Sequence, residues 1–523
     1  MDDRESTCPP STWTRGDIRD ALTDGHGRVG TPTAADREWW ANVRTEPPTA
    51  AYARTLLEAA EDCRGESVTP LPASLFAEYE RTGNRSRYET AYFDRHRRLA
   101  LATLGTCLRG DDRYLGDVRA HVEAICDQST WLLPAHLPDD ERTDEVPDLA
   151  APADHGIALF SARTALALAE VDQLLGDRLG ADLRDRIRHE VDTRVLTPFA
   201  ERDDFPWLET PTGNWTAVCA GASTLAALYL ESDVDRLARL VHKGVEALGD
   251  YLETFGRDGS TPEGLSYWNF GFSHYAMVAD ALRARTDGAL SLFEPPILGE
   301  IARFPLRIRL SPGRYAPFSD ARETDDVDPF LACWAGAEFD VPALVAAGRC
   351  RLADVDRPFF QRESDSLPEA LRTLQWCERG TARSEYRPER ETFFPDAEWW
   401  IARAGPADDA PVLAVKGGHN GESHNHNDCG SFVVHHRGES SLTDLGAGTY
   451  DRAYFGDGRY EALAARSLGH SVPYVEGCEQ VPGEEHAATV LDRTDTDDAA
   501  SLTLELADCY PSDAGLAGLE RSF

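Results

Sequence analysis

Apolar residues recur every three or four positions through the middle of the chain, and this spacing restricts the fold more than any other feature. Residues 165–175, 183–195 and 237–252 each contain such a run. The spacing puts the apolar side chains on one face of an α-helix. Prolines separate the runs and mark the turns between helices. A long series of paired helices forms either a solenoid or a closed α/α toroid, and the absence of a strict sequence repeat favours the toroid.

Near Gly380 the pattern changes to short alternating runs with glycine-containing turns, which predicts antiparallel strands. We expect strands within 393–402, an aromatic-rich run taken as one strand, and within 412–415, 432–434 and 501–506. A chain of 523 residues is too long for one ordinary core, so two domains are predicted. The predicted fold is multidomain, with an incomplete (α/α) toroid at 1–385 followed by a short or incomplete antiparallel β-sandwich at 386–523.

The composition excludes some functions and suggests a setting. A formal net charge of -38 argues against nucleic-acid binding, which needs a basic face. Lys243 and Lys416 are the only lysines, and an acidic, lysine-poor surface suits a salt-rich cytosol, so we hypothesise a halophilic source. The sequence shows neither a signal-peptide pattern nor an apolar run of membrane-spanning length, which predicts a cytoplasmic protein without a membrane span.

The segment from His424 to Asp428, His-Asn-His-Asn-Asp, is the most distinctive polar stretch. An isolated pair of histidines two residues apart is more often a polar loop. In an extended chain, however, both would point to one side, so that one could face a ligand while the other binds a metal. His426, Asp444 and His470 together form a donor set that suits Zn²⁺. Only a sheet that brings distant segments together could assemble this site.

Two further clusters lie in the helical part. Asn214 follows Gly213 at a predicted helix start, where an N-cap role is the plainer interpretation, and Trp215 beside it is more simply a core residue. The second cluster, at 257–271, combines a glycine-rich turn with Glu263, Tyr267 and Trp268, and His274 follows. Taken alone, it could be an aromatic core face with a carboxylate near a helix N-terminus.

In order and in context, the three clusters resemble the heparinase II/III-like polysaccharide lyases. The resemblance is carried by Gly-Asn-Trp-x-x-Val-Cys, Asp-Gly-x-x-x-Glu-Gly-x-x-Tyr-Trp and His-Asn-His-Asn-Asp-x-Gly-Ser-Phe. It implies β-elimination at a uronate, with Tyr267 as base and acid, Asn214 and His424 neutralising the carboxylate, and a structural Zn²⁺ at the metal set. The residues expected to contact substrate are Trp215, Glu263, Trp268, His274 and Tyr450.

A tyrosine has an ordinary pKa near 10, so a cationic neighbour would have to lower the pKa of Tyr267 for it to act as a base.

The partner would be an acidic oligo- or polysaccharide, with imported oligosaccharides favoured, and homo-oligomers are common among such enzymes. The alternatives are a toroid glycoside hydrolase using Glu263 and Asp258 as its carboxylates, or a non-catalytic glycan-binding protein with a degenerate site.

Overall fold

A computed structural model describes residues 13–137, 156–211, 213–354, 366–382, 387–496 and 499–523. The described part contains eighteen α-helices: α1 (Arg15–Asp24), α2 (Arg37–Thr45), α3 (Ala50–Asp62), α4 (Ala73–Phe76), α5 (Glu78–Thr82), α6 (Ser86–Arg109), α7 (Leu115–Cys126), α8 (Leu159–Leu175), α9 (Ala181–Val191), α10 (Thr197–Glu201), α11 (Pro206–Glu209), α12 (Asn214–Leu230), α13 (Val234–Leu252), α14 (Leu265–Arg285), α15 (Ile297–Arg307), α16 (Pro329–Glu338), α17 (Pro342–Ala353) and α18 (Leu367–Trp376).

The helices pack as a ring that closes on itself. Helix α12 contacts α8, α13 and α14, while α6 contacts α3 and α7. At the end of the series, α18 packs back against α6 and α8, and α17 packs against α3. A helix inside the ring is apolar on all sides. Helix α12, which is surrounded by other helices, contains no charged residue and is buried along almost its whole length.

Helix α13 shows how an outer helix of the ring is specified. Its apolar residues face the core in a stripe that includes Leu237, Val241 and Leu248. The side chain of Asp233 accepts hydrogen bonds from the backbone N–H groups of Asp235 and Arg236, and such an N-cap contributes about 1 kcal/mol. No helix among the described residues has the length and apolarity that crossing a membrane requires.

Twelve strands are described: β1 (Arg309–Ser311), β2 (Arg314–Tyr315), β3 (Glu391–Phe394), β4 (Trp399–Arg403), β5 (Val412–Lys416), β6 (His419–Asn420), β7 (Phe432–His436), β8 (Glu439–Leu442), β9 (Gly483–Ala487), β10 (Thr489–Asp495), β11 (Ala500–Glu505) and β12 (Glu520–Ser522). All pairings are antiparallel, in sheets ordered β3-β4-β5-β7-β8, β10-β11-β12, β6-β9 and β1-β2. Trp400 and Val415 of the five-stranded sheet pack with Leu502 and Leu504 of the three-stranded sheet. The predicted fold class, a helical toroid followed by an antiparallel sandwich, is confirmed.

Two details differ from the sequence prediction. Residues 393–402 form two strands rather than one, because the chain turns at Pro395-Asp396 and Glu398 adopts a φ of +52°. Phe394 therefore pairs with Trp399 across a hairpin. The hairpin β1–β2, inside the helical part, was not predicted. The boundary near residue 385 stays a prediction, since residues 383–386 lie outside the described part of the chain.

The ring and the sandwich share one apolar core. Trp399 of β4 packs edge-on against Phe318, with ring centroids 5.1 Å apart. The buried His435 of β7 lies 2.9 Å from the hydroxyl of Ser311 in the β1–β2 hairpin. Asp396 accepts a 2.6 Å hydrogen bond from the backbone of Arg257. These contacts fix the two domains against each other and create a cleft between them.

A candidate active site between the two domains

The cleft has a volume of about 830 Å³, and its walls come from both domains. The helical part contributes Tyr267 and Asn269 on α14 and Asp320 in the loop before α16, and the β domain contributes Tyr450. Clefts between domains are the usual places for ligand sites. The residues predicted from the sequence can therefore be placed relative to this cleft.

The His424–Asp428 segment is not extended, yet its two histidines converge on one carboxylate. His424 adopts a φ of +56° in the loop between β6 and β7. Its Nδ1 lies 2.7 Å from Oδ2 of Asp320, and Nε2 of His426 lies 3.0 Å from Oδ1 of the same residue. A carboxylate accepts hydrogen bonds, so each facing ring nitrogen carries a proton. The remaining nitrogen of each ring is then directed elsewhere.

Asp320 is the central residue that the sequence did not reveal. Besides the histidines, the hydroxyl of Tyr454 donates to Oδ1, and a guanidinium nitrogen of Arg459 lies 3.3 Å from Oδ2. Burial disfavours the charged carboxylate, but the hydrogen bonds from His424 and His426 outweigh it and hold the pKa of Asp320 well below its usual range. No motif marks this aspartate, because its partners lie more than 100 residues further along the chain.

A buried ion pair anchors the same loop from the other side. Nζ of Lys416, at the end of β5, lies 2.6 Å from Oδ1 of Asp428 and 3.5 Å from Oε2 of Glu422. The side chains of Lys416 and Asp428 are fully buried. Burial raises the pKa of Glu422 to about 7, although Lys416 opposes this shift. Lys416, one of the two lysines of the chain, thus holds the histidine loop in position.

Tyr267 lies against His424 and Tyr450. Its ring stacks on the imidazole of His424 at a centroid distance of 4.0 Å, and its hydroxyl lies 2.7 Å from the hydroxyl of Tyr450. Burial raises the pKa of Tyr267 well above its ordinary value, and Tyr450 adds to this effect. The expectation that a cationic neighbour lowers the pKa of Tyr267 is therefore wrong, since burial and the neighbouring phenol raise it.

Asn214 is not an N-cap, because Gly213 occupies that position and Asn214 is the first residue of α12. Its Nδ2 lies 3.3 Å from Oε1 of Glu263, which also accepts a 2.9 Å hydrogen bond from Ser423. Nε2 of His424 lies 4.0 Å from the same oxygen. Gly213 is required here, since its φ is +53° and a Cβ atom would lie 2.6 Å from Glu263. Asn214 and Ser423 thus both donate to the carboxylate of Glu263, and the imidazole of His424 lies close to it.

The predicted metal ligands come together. Donor atoms of His426, Asp444 and His470 all lie within 4.8 Å of one another. Nδ1 of His426 is buried and has no hydrogen-bond partner among the described residues. Nε2 of His470 faces the carbonyl oxygen of Ala464 at 2.9 Å, so it carries a proton, and Nδ1 then faces Asp444 at 2.6 Å. A cation or a second proton must separate these two acceptors, so the residues fit a metal ion.

Two of the predicted substrate contacts, Trp268 and His274, lie in the core instead of in the cleft. Trp268 is fully buried and donates to the carbonyl of Ile301, so the prediction that it contacts substrate is wrong. His274 is 1% exposed, and burial lowers its pKa to about 4, which makes it a neutral core residue rather than a substrate contact. Trp215 remains partly exposed with its ring against His136, and its role stays a prediction.

Asp258 accepts hydrogen bonds from the backbone N–H groups of Ser260 and Asp396, which weakens the alternative of a glycoside hydrolase with paired carboxylates.

The helical toroid and the antiparallel β domain enclose a cleft, and the candidate site lies between them. Residues 387–516 match the family model described as heparinase II/III-like, C-terminal. The structure is similar to that of a heparinase III (TM-score 0.57, 13% identity, covering 96% of this chain and 76% of that one). It is also similar to a heparan sulfate lyase from Pedobacter heparinus (TM-score 0.51, 14% identity, covering 97% and 71%). No curated protein matches the chain in sequence. The predicted resemblance is confirmed, and at these identities the structural likeness establishes the fold.

Proposed function

We propose that the protein is a polysaccharide or oligosaccharide lyase that cleaves a uronate-containing glycan by β-elimination. The observation that carries this proposal is the pair of hydroxyls of Tyr267 and Tyr450, 2.7 Å apart in the interdomain cleft and beside His424. The fold shared with proteins named heparinase III and heparan sulfate lyase supports it. Elimination at a uronate needs a base, an acid and donors for the carboxylate, and the site offers all three.

Asn214, His424 and Ser423 are proposed to neutralise the substrate carboxylate. Removal of the C5 proton places charge on that carboxylate, so hydrogen-bond donors aimed at it lower the barrier. Glu263 accepts hydrogen bonds from Asn214 and Ser423 and lies 4.0 Å from His424. Glu263 thus holds the donors in place, and the substrate carboxylate competes with it for them. Glu263 is accordingly proposed to contact the substrate.

Tyr267 is proposed to remove the C5 proton and, with Tyr450, to return a proton to the leaving oxygen. Burial raises the pKa of both phenols, so both are protonated at neutral pH before substrate binds. A protonated phenol is ready to act as the acid. Tyr267 must first give up its own proton, and the unprotonated Nε2 of the stacked His424 is proposed to accept it. Tyr450 can donate a hydrogen bond to the resulting phenolate and so stabilise it. The phenolate then takes the C5 proton, and the re-formed phenol returns a proton to the leaving oxygen.

His426, Asp444 and His470 are proposed to hold a structural Zn²⁺, since two imidazoles and a carboxylate suit that ion. Bound there, the ion would cross-link the histidine loop to two later segments and would not take part in the reaction. Asp320 is proposed as a positioning residue, because it orients the metal ligand His426 and the substrate-facing His424 together.

The test is to incubate the protein in molar potassium chloride with a panel of uronate glycans and to follow the ultraviolet absorbance of the new C4–C5 double bond. We expect Tyr267→Phe and Tyr450→Phe each to lose at least about 100-fold in kcat, the usual size of a lost proton-transfer group. Tyr474→Phe is the matched control, since this phenol is 58% exposed and donates to the carbonyl of Gly477.

The alternatives give different outcomes in the same experiment. A hydrolase would release saturated products without the absorbance change, and a glycan-binding protein would retain the glycan without turnover. High salt is chosen because a net charge of -38 repels a polyanion in dilute buffer. Unfolding measured at low and high salt tests the halophilic hypothesis, which equal stability in both would contradict. The cytoplasmic location and the homo-oligomeric state stay predictions.

A further inference from the structure

One wall of the cleft combines aromatic faces with an excess of carboxylates. The rings of Phe160 and Phe270 lie 6.5 Å apart, and the guanidinium of Arg163 lies over both at 5.5 and 5.1 Å. Among the described residues, the cleft is lined by five carboxylates and three guanidinium groups: Asp320, Asp325, Asp326, Asp328, Glu369, Arg163, Arg322 and Arg351. Negative charge therefore exceeds positive charge where the sugar chain would lie.

Two of the three arginines of this wall, Arg163 and Arg351, lie beside carboxylates. Arg163 donates to Glu369 and, at 3.1 Å, to the hydroxyl of Ser366. Nε of Arg351 lies 3.9 Å from Oδ2 of Asp326. Arg322 is exposed, and its backbone N–H donates to Asp325 at 2.7 Å. A bound sulfate would have to compete with a resident carboxylate for Arg163 or Arg351.

We infer that this wall selects a uronate glycan whose sugars carry no sulfate, an assignment of substrate class that rests on the proposed lyase activity. A sulfate brought beside these carboxylates meets like charge, and like-charge contacts discriminate strongly against a ligand. Sugar hydroxyl and acetamido groups instead donate hydrogen bonds that carboxylates accept. The faces of Phe160 and Phe270 offer an apolar surface to the C–H side of a sugar ring.

The test compares glycans that differ only in sulfation. Heparosan is paired with heparosan that has been sulfated at its 6-hydroxyl groups and unsulfated chondroitin with chondroitin 6-sulfate, and alginate and hyaluronan complete the panel. We expect turnover of an unsulfated chain alone, or a kcat/KM at least about tenfold higher for the unsulfated member of a pair, which is the effect of 1.4 kcal/mol. The ratio should grow as salt is lowered, because screening weakens.

A sulfated chain cleaved as well as its unsulfated parent would overturn the substrate assignment and leave the lyase proposal intact. No turnover of any glycan by folded protein would instead refute the lyase proposal and the assignment with it. The two failures are therefore distinguishable within one panel.

A matched pair of variants locates the selectivity. Asp326→Asn removes a carboxylate from the wall, so we expect the preference for unsulfated substrate to fall at least about threefold, the change that 0.65 kcal/mol produces. Asp203→Asn removes an equal charge from an exposed residue that pairs with Lys243, and we expect it to leave the ratio unchanged. An unchanged ratio in Asp326→Asn would show that this wall does not select against sulfate.

Discussion

Replacing Lys416 by methionine tests whether the buried ion pair holds the histidine loop in place. The substitution keeps the length of the side chain and removes its charge, leaving Asp428 without the cation 2.6 Å from its Oδ1. Both side chains are fully buried, and Oδ2 of Asp428 has no hydrogen-bond partner among the described residues. An isolated carboxylate in such surroundings must either stay charged at high cost or take up a proton.

The size of the effect follows from this burial. Breaking a buried pair by removing one partner costs roughly 3–5 kcal/mol, whereas replacing both partners by apolar residues is often close to neutral. We therefore expect Lys416→Met to destabilise the β domain by about 4 kcal/mol and Lys416→Met/Asp428→Leu by less than about half of that. The two substitutions should thus be strongly non-additive, as expected for residues in contact.

The assay is urea unfolding of Lys416→Met, Asp428→Leu, the double variant and the parent protein, followed by tryptophan fluorescence and by hydrogen exchange in the β domain. The chain has two domains, so the transition that includes residues 387–523 is the one to compare. A loss of less than about 1 kcal/mol in Lys416→Met, the range of an exposed salt bridge, would refute the reasoning. So would a double variant whose loss equals the sum of the two single losses.

Three further predictions follow from the site. The folded-state pKa of Glu422, about 7, is raised above its ordinary value, so its contribution to stability is full in acid and lost as pH rises towards 7. That contribution is about 3 kcal/mol, and Glu422→Gln should flatten the stability–pH curve there, as urea unfolding at several pH values would show. His470→Ala should reduce bound zinc, measured by elemental analysis, at least about tenfold, whereas zinc retained at wild-type level would argue against the ligand set. Asp320→Asn should reduce both bound zinc and kcat by at least about tenfold, with a smaller change in KM, and loss of only one of the two would separate the roles of the two histidines.

Local sequence motifs predicted the candidate site residues better than the residues that hold them in position. Tyr267, His424 and Asn214 lie in short segments whose composition is unusual, and the structure brings them near one another: His424 stacks on Tyr267 and lies 4.0 Å from Glu263, to which Asn214 donates. Helical periodicity likewise predicted the ring, because the apolar spacing that identifies each helix also identifies the face that packs against other helices. Asp320 and Lys416 act through partners that only the folded chain supplies, so nothing in their own neighbourhoods distinguishes them. Residues 393–402 form two strands because the chain turns between them, with a positive φ at Glu398. This backbone angle could not be recognised from the aromatic-rich sequence.

The hydroxyls of Tyr267 and Tyr450 belong to different domains and meet across the cleft. Neither domain alone carries the pair, so a fragment of either would lose the contact on which the proposed proton transfer depends. The joint between ring and sandwich is therefore part of the reactive site. A substitution at the joint, for example at Ser311 or His435, would change the distance between the two oxygens without touching the substrate. Mutations that tune the rate are thus to be sought along the domain boundary as well as in the cleft.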